Sequence, residues 1–316
     1  MYTENEAVFA LKYLLHNENG RLIAKIYKQI VKMHKKHLTN WEKCYIIMFS
    51  ALFGGNKDGY YAYLGEDMPR FFVSAGQIDG DKIYIVGDDA FHISRALRMA
   101  AGESITVCDE GGVEYDCVLE EFLPDRVGAR ITSSKTSDTE PPFKAHVYQG
   151  LPKGDKLETV IQKSVECGAC AITTFESEFC IAKAKPEAEK NKLERRNRIA
   201  AEAAKQSGRS ILPRVGATIS FDKMLDEAEK ADVRLFCYEA EGTLPIGKQL
   251  KSALQNIDGI PTVAIIVGPE GGFSKSEYER ARDRGFLMCG LGKRILRTET
   301  AATFALSCLA YETELS

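Results

Sequence analysis

From residue 144 onward, short apolar runs typical of β-strands alternate with patterns typical of helices, and this alternation constrains the fold more than any other feature. The runs lie at 144–150, 171–175, 234–238, 262–268 and 286–291. A helical pattern follows each of them. Because strand–helix alternation places neighbouring strands parallel, the sequence predicts an α/β domain with a mostly parallel sheet and helices on both faces.

In such folds, ligands bind beyond the carboxyl ends of the strands. We therefore expect the functional residues in the loops that follow Tyr238, Val267 and Leu291. The sequence contains no GxGxxG after an early strand, no GxxxxGK[ST] and no GxSxG. These absences argue against an ordinary dinucleotide-binding domain, a P-loop nucleotide triphosphatase and an α/β-hydrolase.

The loop after the fourth run contains Gly268, Pro269, Glu270, Gly271 and Gly272. Glycines allow the backbone to turn sharply and to approach a ligand closely. Ser274 and Glu277, three residues apart, match the pattern of a helix capping box. A cap alone does not require three glycines, a proline and a carboxylate, so the loop is predicted to bind a ligand as well as to start a helix.

The segment after the fifth run passes through Gly292 and reaches Arg297, Thr298 and Glu299 at the start of the last helix. Thr298 is suited to cap that helix. A guanidinium and a carboxylate at the carboxyl edge of a sheet suit an anionic transition state and proton transfer, respectively. Arg297 and Glu299 are therefore candidate catalytic residues, together with Glu270.

The part of the chain before residue 144 follows other patterns. Leucines and isoleucines recur at helical spacing among lysines in residues 1–67, which predicts short amphipathic helices. Several β-type runs between 68 and 131 predict a small barrel, which we expect to be closed because closure removes exposed strand edges. The polar, proline-containing segment 132–142 predicts a domain boundary.

Composition limits the possible partners. The formal net charge of −3 does not indicate a nucleic-acid ligand, but ten basic and four acidic residues between Lys183 and Arg214 form a local basic footprint. Cys167 and Cys170 have CxxC spacing, yet no second pair follows, so no metal site is predicted. No apolar stretch approaches the roughly 20 residues that span a bilayer, and the first residues are acidic, so we expect a cytoplasmic protein without a membrane partner.

Several motifs resemble the RsmE family of 16S ribosomal RNA uridine N3-methyltransferases, within the SPOUT superfamily. The matching segments are Met68–Val73, Leu97–Arg98 with Gly102–Glu103, Lys153–Lys156 with Glu158, Gln206–Arg209 with Pro213, Gly268–Ser274 and Leu291–Ala302. The resemblance thus runs from Met68 to the C-terminus. The last two segments, at this spacing, are highly specific.

This resemblance implies a PUA-like RNA-binding β-barrel over residues 68–138 and a SPOUT α/β-knot methyltransferase domain, with a deep trefoil knot, over residues 142–316. Periodicity predicts no knot, because true knots are rare among folds. The resemblance also implies a homodimer that uses S-adenosylmethionine and acts on 16S rRNA of the small ribosomal subunit. Residues 1–67 precede the usual start of the family and are either a native extension or the product of a misassigned start codon.

The resemblance also implies site residues. S-adenosylmethionine would be bound by Tyr238, Glu239, Gly268, Pro269, Glu270, Gly271, Leu291, Gly292, Ile295, Leu296 and Thr298. Four of these would line the adenine pocket, largely through backbone groups: Leu291, Gly292, Ile295 and Leu296. RNA would contact Arg70, Arg98, Lys153, Arg195, Arg198, Gln206 and Arg209. For each single cation, a solvated surface position is an equally good interpretation.

Methylation at N3 requires the N3 proton to leave, because the protonated nitrogen is a poor nucleophile. We expect Arg297 to stabilise negative charge on the uracil carbonyls, and Glu299 or Glu270, directly or through a water, to accept the proton. Two other interpretations stay open: a non-catalytic RNA-binding assembly factor, and a SPOUT methyltransferase that acts on transfer RNA. The intact glycine loop argues against the first, and the barrel-first order argues against the second.

Overall fold

A computed structural model describes residues 68–183, 186–239 and 243–316. These residues belong to one compact unit, Met68–Ser316. The helices predicted within residues 1–67 lie outside the described residues. In the ranges that are described, no helix is both long and apolar enough to cross a membrane.

The described residues form two sheets and the helices that cover them. The strands are β1 (Arg70–Phe72), β2 (Ile78–Asp79), β3 (Lys82–Val86), β4 (Ser104–Cys108), β5 (Val113–Phe122), β6 (Arg126–Thr136), β7 (Lys144–Gly150), β8 (Ala169–Glu176), β9 (Arg214–Ser220), β10 (Val233–Cys237), β11 (Leu244–Pro245), β12 (Thr262–Val267) and β13 (Leu287–Gly290). The helices are α1 (Gly87–Phe91), α2 (Lys156–Glu166), α3 (Pro186–Gln206), α4 (Phe221–Ala228), α5 (Ile246–Leu254), α6 (Lys275–Asp283) and α7 (Thr298–Ala310). Short helical turns occupy Ala75–Gln77, His92–Ala96 and Tyr311–Leu315.

The first sheet contains β1 to β6 in the order β1-β4-β5-β6-β3-β2. β1 pairs with β4 in parallel, and the other neighbours are antiparallel. Alternate residues such as Ile83 and Ile85 point into one core, which Ala90 of α1 and Ile93 of the following turn cover. The short end strands β1 and β2 do not pair with each other among the described residues, so this sheet is open where a closed barrel was predicted.

The second sheet contains β7 to β13, all parallel, in the order β11-β13-β10-β12-β7-β8-β9. Successive strand residues point to opposite faces, so Ile265 joins the core under α2, α3 and α7 while Ile266 joins the core under α4 and α6. The predicted α/β domain with a parallel sheet and helices on both faces is therefore confirmed.

The structure differs from the sequence-based expectation at the weakly patterned elements. β9 and α4 were not predicted, and in β9 only Val215 is fully buried, so the strand shows no regular alternation. β6 extends to Thr136, inside the segment that was predicted to be a boundary. Residues 132–136 are exposed and polar but pair with β5, which explains why they look like a linker in the sequence.

The order of strands determines where the chemistry can occur. β13, β10 and β12 are neighbours in the second sheet, and β7 is next to β12. The segments that follow β10, β12 and β13 therefore leave the sheet side by side at its carboxyl edge. These are the segments in which functional residues were expected.

Candidate active site

A cavity of about 530 Å³ opens at the carboxyl ends of β10, β12 and β13. Its walls come mainly from residues 237–239, 267–273 and 291–298, and Lys156 and Ala301 complete them. The volume lies within the range of ordinary small-molecule sites, roughly 300–1,000 Å³. Segments that are distant in sequence thus form one concave site.

The structure brings the predicted cofactor-binding residues together. All eleven border this cavity: Tyr238, Glu239, Gly268, Pro269, Glu270, Gly271, Leu291, Gly292, Ile295, Leu296 and Thr298. Among the catalytic candidates, Arg297 and Glu270 also border it. Glu299 is not part of its lining.

Three glycines, two in the glycine loop and one at the end of β7, stand where neighbouring atoms leave little space for a side chain. A Cβ on Gly150, at the end of β7, would lie 2.5 Å from the backbone nitrogen of Pro269. A Cβ on Gly268 would lie 3.0 Å from the Phe273 ring, and one on Gly271 would lie 2.9 Å from Cβ of Phe179. A side chain at any of these positions would displace its neighbours, so these glycines allow the loop to pack on the end of β7 and against Phe179.

A buried glutamine, which sequence analysis missed, lies behind the floor of the cavity, which Gly268 and Thr298 form. Gln149 is fully buried, and its Nε2 donates hydrogen bonds to Thr298 Oγ1 at 2.7 Å and to the Gly268 carbonyl at 3.2 Å. The Thr298 hydroxyl in turn donates to the Gly268 carbonyl at 2.7 Å. These bonds join β7, the glycine loop and the start of α7. The only signal in the sequence is a polar residue at the position where the alternation of Ala145 and Val147 predicts an apolar one.

The predicted capping box is present at the start of α6. Ser274 Oγ accepts a hydrogen bond from the Glu277 backbone at 3.2 Å, and Glu277 Oε2 accepts one from the Ser274 backbone at 3.0 Å. Glu277 also accepts hydrogen bonds from Ser177 Oγ at 3.1 Å and from the Glu178 backbone at 2.8 Å. The same buried carboxylate therefore caps the helix and attaches the turn that follows β8.

Glu270 is held at the cavity by cationic and backbone donors. Lys156 Nζ donates to Glu270 Oε1 at 2.8 Å, and the Lys153 backbone donates to the same oxygen at 3.1 Å. Burial disfavours the charged form, but the hydrogen bonds from Lys156 and from backbone N–H groups outweigh it and lower the pKa of Glu270. The Glu270 carboxylate is thus ionised at neutral pH.

Two cationic side chains also lie at the cavity. Arg294 and Arg297 both border the cavity and are exposed to solvent. Neither forms an ion pair within the described ranges, so both guanidinium groups are available to an anionic ligand. Arg294 was not selected by sequence analysis, because nothing in its spacing distinguishes it from Lys293.

Glu299 occupies a different environment from the one expected. Its side chain is partly buried, and Oε2 is shielded from solvent without a hydrogen-bond partner in the described residues. It lies in the first turn of α7, whose N-terminus favours a negative charge. A buried carboxylate oxygen without a donor is costly unless a ligand or water satisfies it.

The residues expected to contact RNA fall into three groups. Arg98, Lys153, Arg198 and Gln206 are exposed. Arg195 is also exposed but forms an ion pair with Glu158 at 2.7 Å. Arg70 is mostly buried and donates to Glu114 at 2.8 Å, so its expected role in RNA binding is corrected to a structural one within the first sheet.

Arg209 requires the clearest correction, because only 3% of it is exposed. Its Nε donates to both oxygens of Glu140 at 3.0 Å, and Nη2 donates to Oε2 at 2.6 Å. Its Nη1 donates to the carbonyls of Val165 and Ala169 at 3.0 and 3.1 Å. Every nitrogen of the guanidinium has a protein partner, so Arg209 is not available to a phosphate in this structure.

Comparison with known proteins finds similarity to an RNA methyltransferase family and to several ribosomal RNA methyltransferases. The RNA methyltransferase domain family matches residues 139–310, which include every segment of the cavity. Ribosomal RNA small subunit methyltransferase E from Bacillus subtilis is 36% identical over 251 residues, 78% of this chain and 98% of that protein. The protein of the same name from Synechocystis is 31% identical over 240 residues, 75% of this chain and 76% of that protein. The crystal structure of ribosomal RNA small subunit methyltransferase E from Neisseria gonorrhoeae bound to S-adenosyl methionine is similar with a TM-score of 0.66 at 30% identity, covering 77% of this chain and 96% of that one.

Proposed function

This chain belongs to the ribosomal RNA small subunit methyltransferase E family, and we propose that it methylates N3 of one uridine in 16S rRNA. The resemblance inferred from the sequence is confirmed, and so is its function as an S-adenosylmethionine-dependent ribosomal RNA methyltransferase. The observation that carries the proposal is the cavity at the carboxyl edge of the second sheet. The glycine loop, residues 268–272, and the segment that contains Arg297, residues 291–298, both border it.

The residues around the cavity fit S-adenosylmethionine. Leu291, Ile295 and Leu296 supply apolar surface for an adenine ring. The carboxylates of Glu239 and Glu270 suit a ligand with ammonium and sulfonium charges, while Arg294 suits its carboxylate. The tight packing of Gly150, Gly268 and Gly271 keeps the glycine loop against the floor and leaves the cavity open.

S-adenosylmethionine supplies an already activated methyl group, so the protein has to place the nitrogen and manage its proton. Arg297 is an exposed cavity residue without an ion-pair partner in the described residues, and it would stabilise negative charge on the uracil carbonyls. Glu270 borders the cavity and Glu299 does not, which makes Glu270 the first choice as proton acceptor. Glu299 is the alternative, through its unpartnered oxygen.

The two carboxylates are distinguished by substitution. We expect Glu270→Gln to reduce the single-turnover rate of methyl transfer by about 100-fold, a typical loss for a general base. Glu299→Gln should reduce the rate by less than about fivefold if Glu270 is the acceptor. Rapid quench with labelled S-adenosylmethionine and small subunits provides the measurement. Wild-type rates in both folded variants would contradict a role for either carboxylate.

The remaining features of the proposal come from family membership. The first sheet, residues 68–138, would be a PUA-like RNA-binding domain, and residues 142–316 would be a SPOUT domain with a trefoil knot that assembles as a homodimer. Arg98, between the turn His92–Ala96 and β4, is exposed, which supports RNA binding by this domain. Ile295, which borders the cavity, is 85% exposed in one chain, which supports its burial in a dimer. Light scattering after gel filtration tests the dimer, and a monomeric mass at micromolar concentration would exclude it.

The test of the whole proposal is a product analysis. The protein is incubated with labelled S-adenosylmethionine and small ribosomal subunits that lack the modification, and the product is mapped by nuclease digestion and mass spectrometry. N3-methyluridine at one site is the expected result. Cofactor binding without transfer to subunits, or transfer to transfer RNA instead, would overturn it.

A further inference from the structure

An aromatic side chain stands at the edge of the glycine loop without a role in the chemistry described above. Phe179 follows β8, and 45% of it is exposed to solvent. Its Cβ packs against Gly271, the residue that borders the cavity and that has no space for a side chain on this side. The phenyl ring is therefore beside the cofactor cavity and partly in solvent.

The turn that carries Phe179 is held firmly. The Glu178 backbone donates to Glu277 at 2.8 Å, and the Cys180 backbone donates to the Ser177 carbonyl at 3.0 Å. Glu277 is only 4% exposed and also caps α6, so the turn and the glycine loop share one anchor. An exposed ring on a fixed backbone loses little conformational entropy when another ring stacks on it.

The surroundings of the ring favour an anionic, base-containing ligand. Lys153 is exposed, and its backbone is bonded to Glu270 at the cavity. Arg294 and Arg297 are exposed cavity residues whose charges are not paired in the described residues. Ile181, 72% exposed and two residues beyond Phe179, adds apolar surface. Cations that can contact phosphates, at a cavity flanked by an exposed aromatic side chain, are the combination that binds unpaired nucleotides.

We propose that Phe179 is a stacking platform for an unpaired RNA base adjacent to the nucleotide that enters the cavity. This inference rests on the proposed function, because it requires single-stranded RNA at the cavity. A base removed from its neighbours in order to react leaves an unstacked base beside it. The phenyl ring replaces the lost stacking partner, and the RNA is thereby positioned by contacts outside the reaction centre.

The test compares aromatic and non-aromatic substitutions. We expect Phe179→Ala and Phe179→Leu to reduce kcat/KM for small ribosomal subunits by about 5- to 150-fold, the loss of one base–aromatic stack. Phe179→Trp should retain kcat/KM within about threefold. S-adenosylmethionine affinity, measured by calorimetry, should stay within about twofold in all three variants. Ile260→Ala is the matched control. Ile260 is 59% exposed and precedes the amino end of β12, whereas the cavity lies at the carboxyl ends of the strands.

Binding of the subunits is measured separately from methyl transfer. Filter binding should show weaker binding for Phe179→Ala with an unchanged slope of log affinity against log salt, because stacking releases no counterions. Three results would each overturn the platform. The first is that Phe179→Ala has the same kcat/KM as Ile260→Ala, and the second is that Phe179→Trp loses as much kcat/KM as Phe179→Ala. The third is a tenfold loss of S-adenosylmethionine affinity in a Phe179 variant. If the wild-type protein binds subunits without methylating them, the proposed function fails, whereas a binding defect in Phe179→Ala still supports the platform.

Discussion

Replacement of Arg209 by methionine provides a sharp test of its structural role. The substitution keeps an unbranched apolar stem but removes every hydrogen bond to Glu140, Val165 and Ala169. Loss of one partner of a buried ion pair costs about 3–5 kcal/mol, because the other charge stays buried. Glu140 is 20% exposed and keeps hydrogen bonds from the Ser210 and Ile211 backbones at 2.9 and 3.1 Å, so we expect the lower end, about 3 kcal/mol.

Thermal unfolding followed by circular dichroism measures this effect. In a unit of this size, about 1 kcal/mol shifts Tm by roughly 2–4 °C, so Arg209→Met should lower Tm by about 6–12 °C. The matched control is Arg198→Met, on the exposed face of α3, whose effect on stability should stay within about 0.5 kcal/mol. The double variant Glu140→Gln/Arg209→Met should lose less than the sum of the single losses, because both residues belong to one network.

The same pair predicts an acid dependence. Burial disfavours the charged form of Glu140, but the hydrogen bonds and the charge of Arg209 outweigh it, so the pKa of Glu140 is lowered in the folded protein. A carboxylate with a depressed pKa contributes stability above its unfolded pKa of about 4.3, and that contribution is lost as the pH falls through the folded pKa. The difference in Tm between wild type and Arg209→Met should therefore shrink below about pH 4. An unchanged Tm in Arg209→Met, together with a weaker and less salt-dependent affinity for RNA, would refute this reasoning and restore Arg209 as an RNA contact.

Two further predictions concern the floor of the cavity. Gly150→Ala places a Cβ 2.5 Å from the Pro269 backbone, so we expect at least a tenfold loss of S-adenosylmethionine affinity by calorimetry, whereas Gly247→Ala, in α5 with open space around it, should bind normally. Thr298→Val removes the hydroxyl that accepts from Gln149 and donates to Gly268, and it should lower stability by about 1–2 kcal/mol in urea unfolding, while Thr298→Ser should resemble wild type. Equal stability of Thr298→Val and Thr298→Ser in urea unfolding would show that the hydroxyl is not needed.

The loops of the site could be predicted from the sequence because their chemistry is local. Glycines, a proline and charged residues follow two apolar strands, and the parallel order of the sheet places those loops at one edge. The prediction needed no distance information. The same reasoning found Ser274 and Glu277, since a capping box involves residues only three positions apart.

Residues whose role depends on distant partners could not be predicted. Gln149 looks like an irregular strand position until the register pairs it with Val267 and brings it beside Gly268. Arg209 is bound by Glu140, 69 residues away in the sequence. No local sequence pattern predicts that its side chain is buried. The open first sheet also depends on which strands pair, whereas the sequence shows only that β-type runs are present.

The contacts beneath the cavity have a consequence for its chemistry. Gln149 joins β7 to the glycine loop and to α7, Glu277 joins that loop to the turn that carries Phe179, and Lys156 joins it to α2 through Glu270. These bonds all join groups of the protein itself. A preorganised site spends little binding energy on ordering its loops. Substitutions of Gln149 or Thr298 should therefore weaken cofactor affinity, whereas substitution of Arg297, which borders the cavity, should mainly slow methyl transfer.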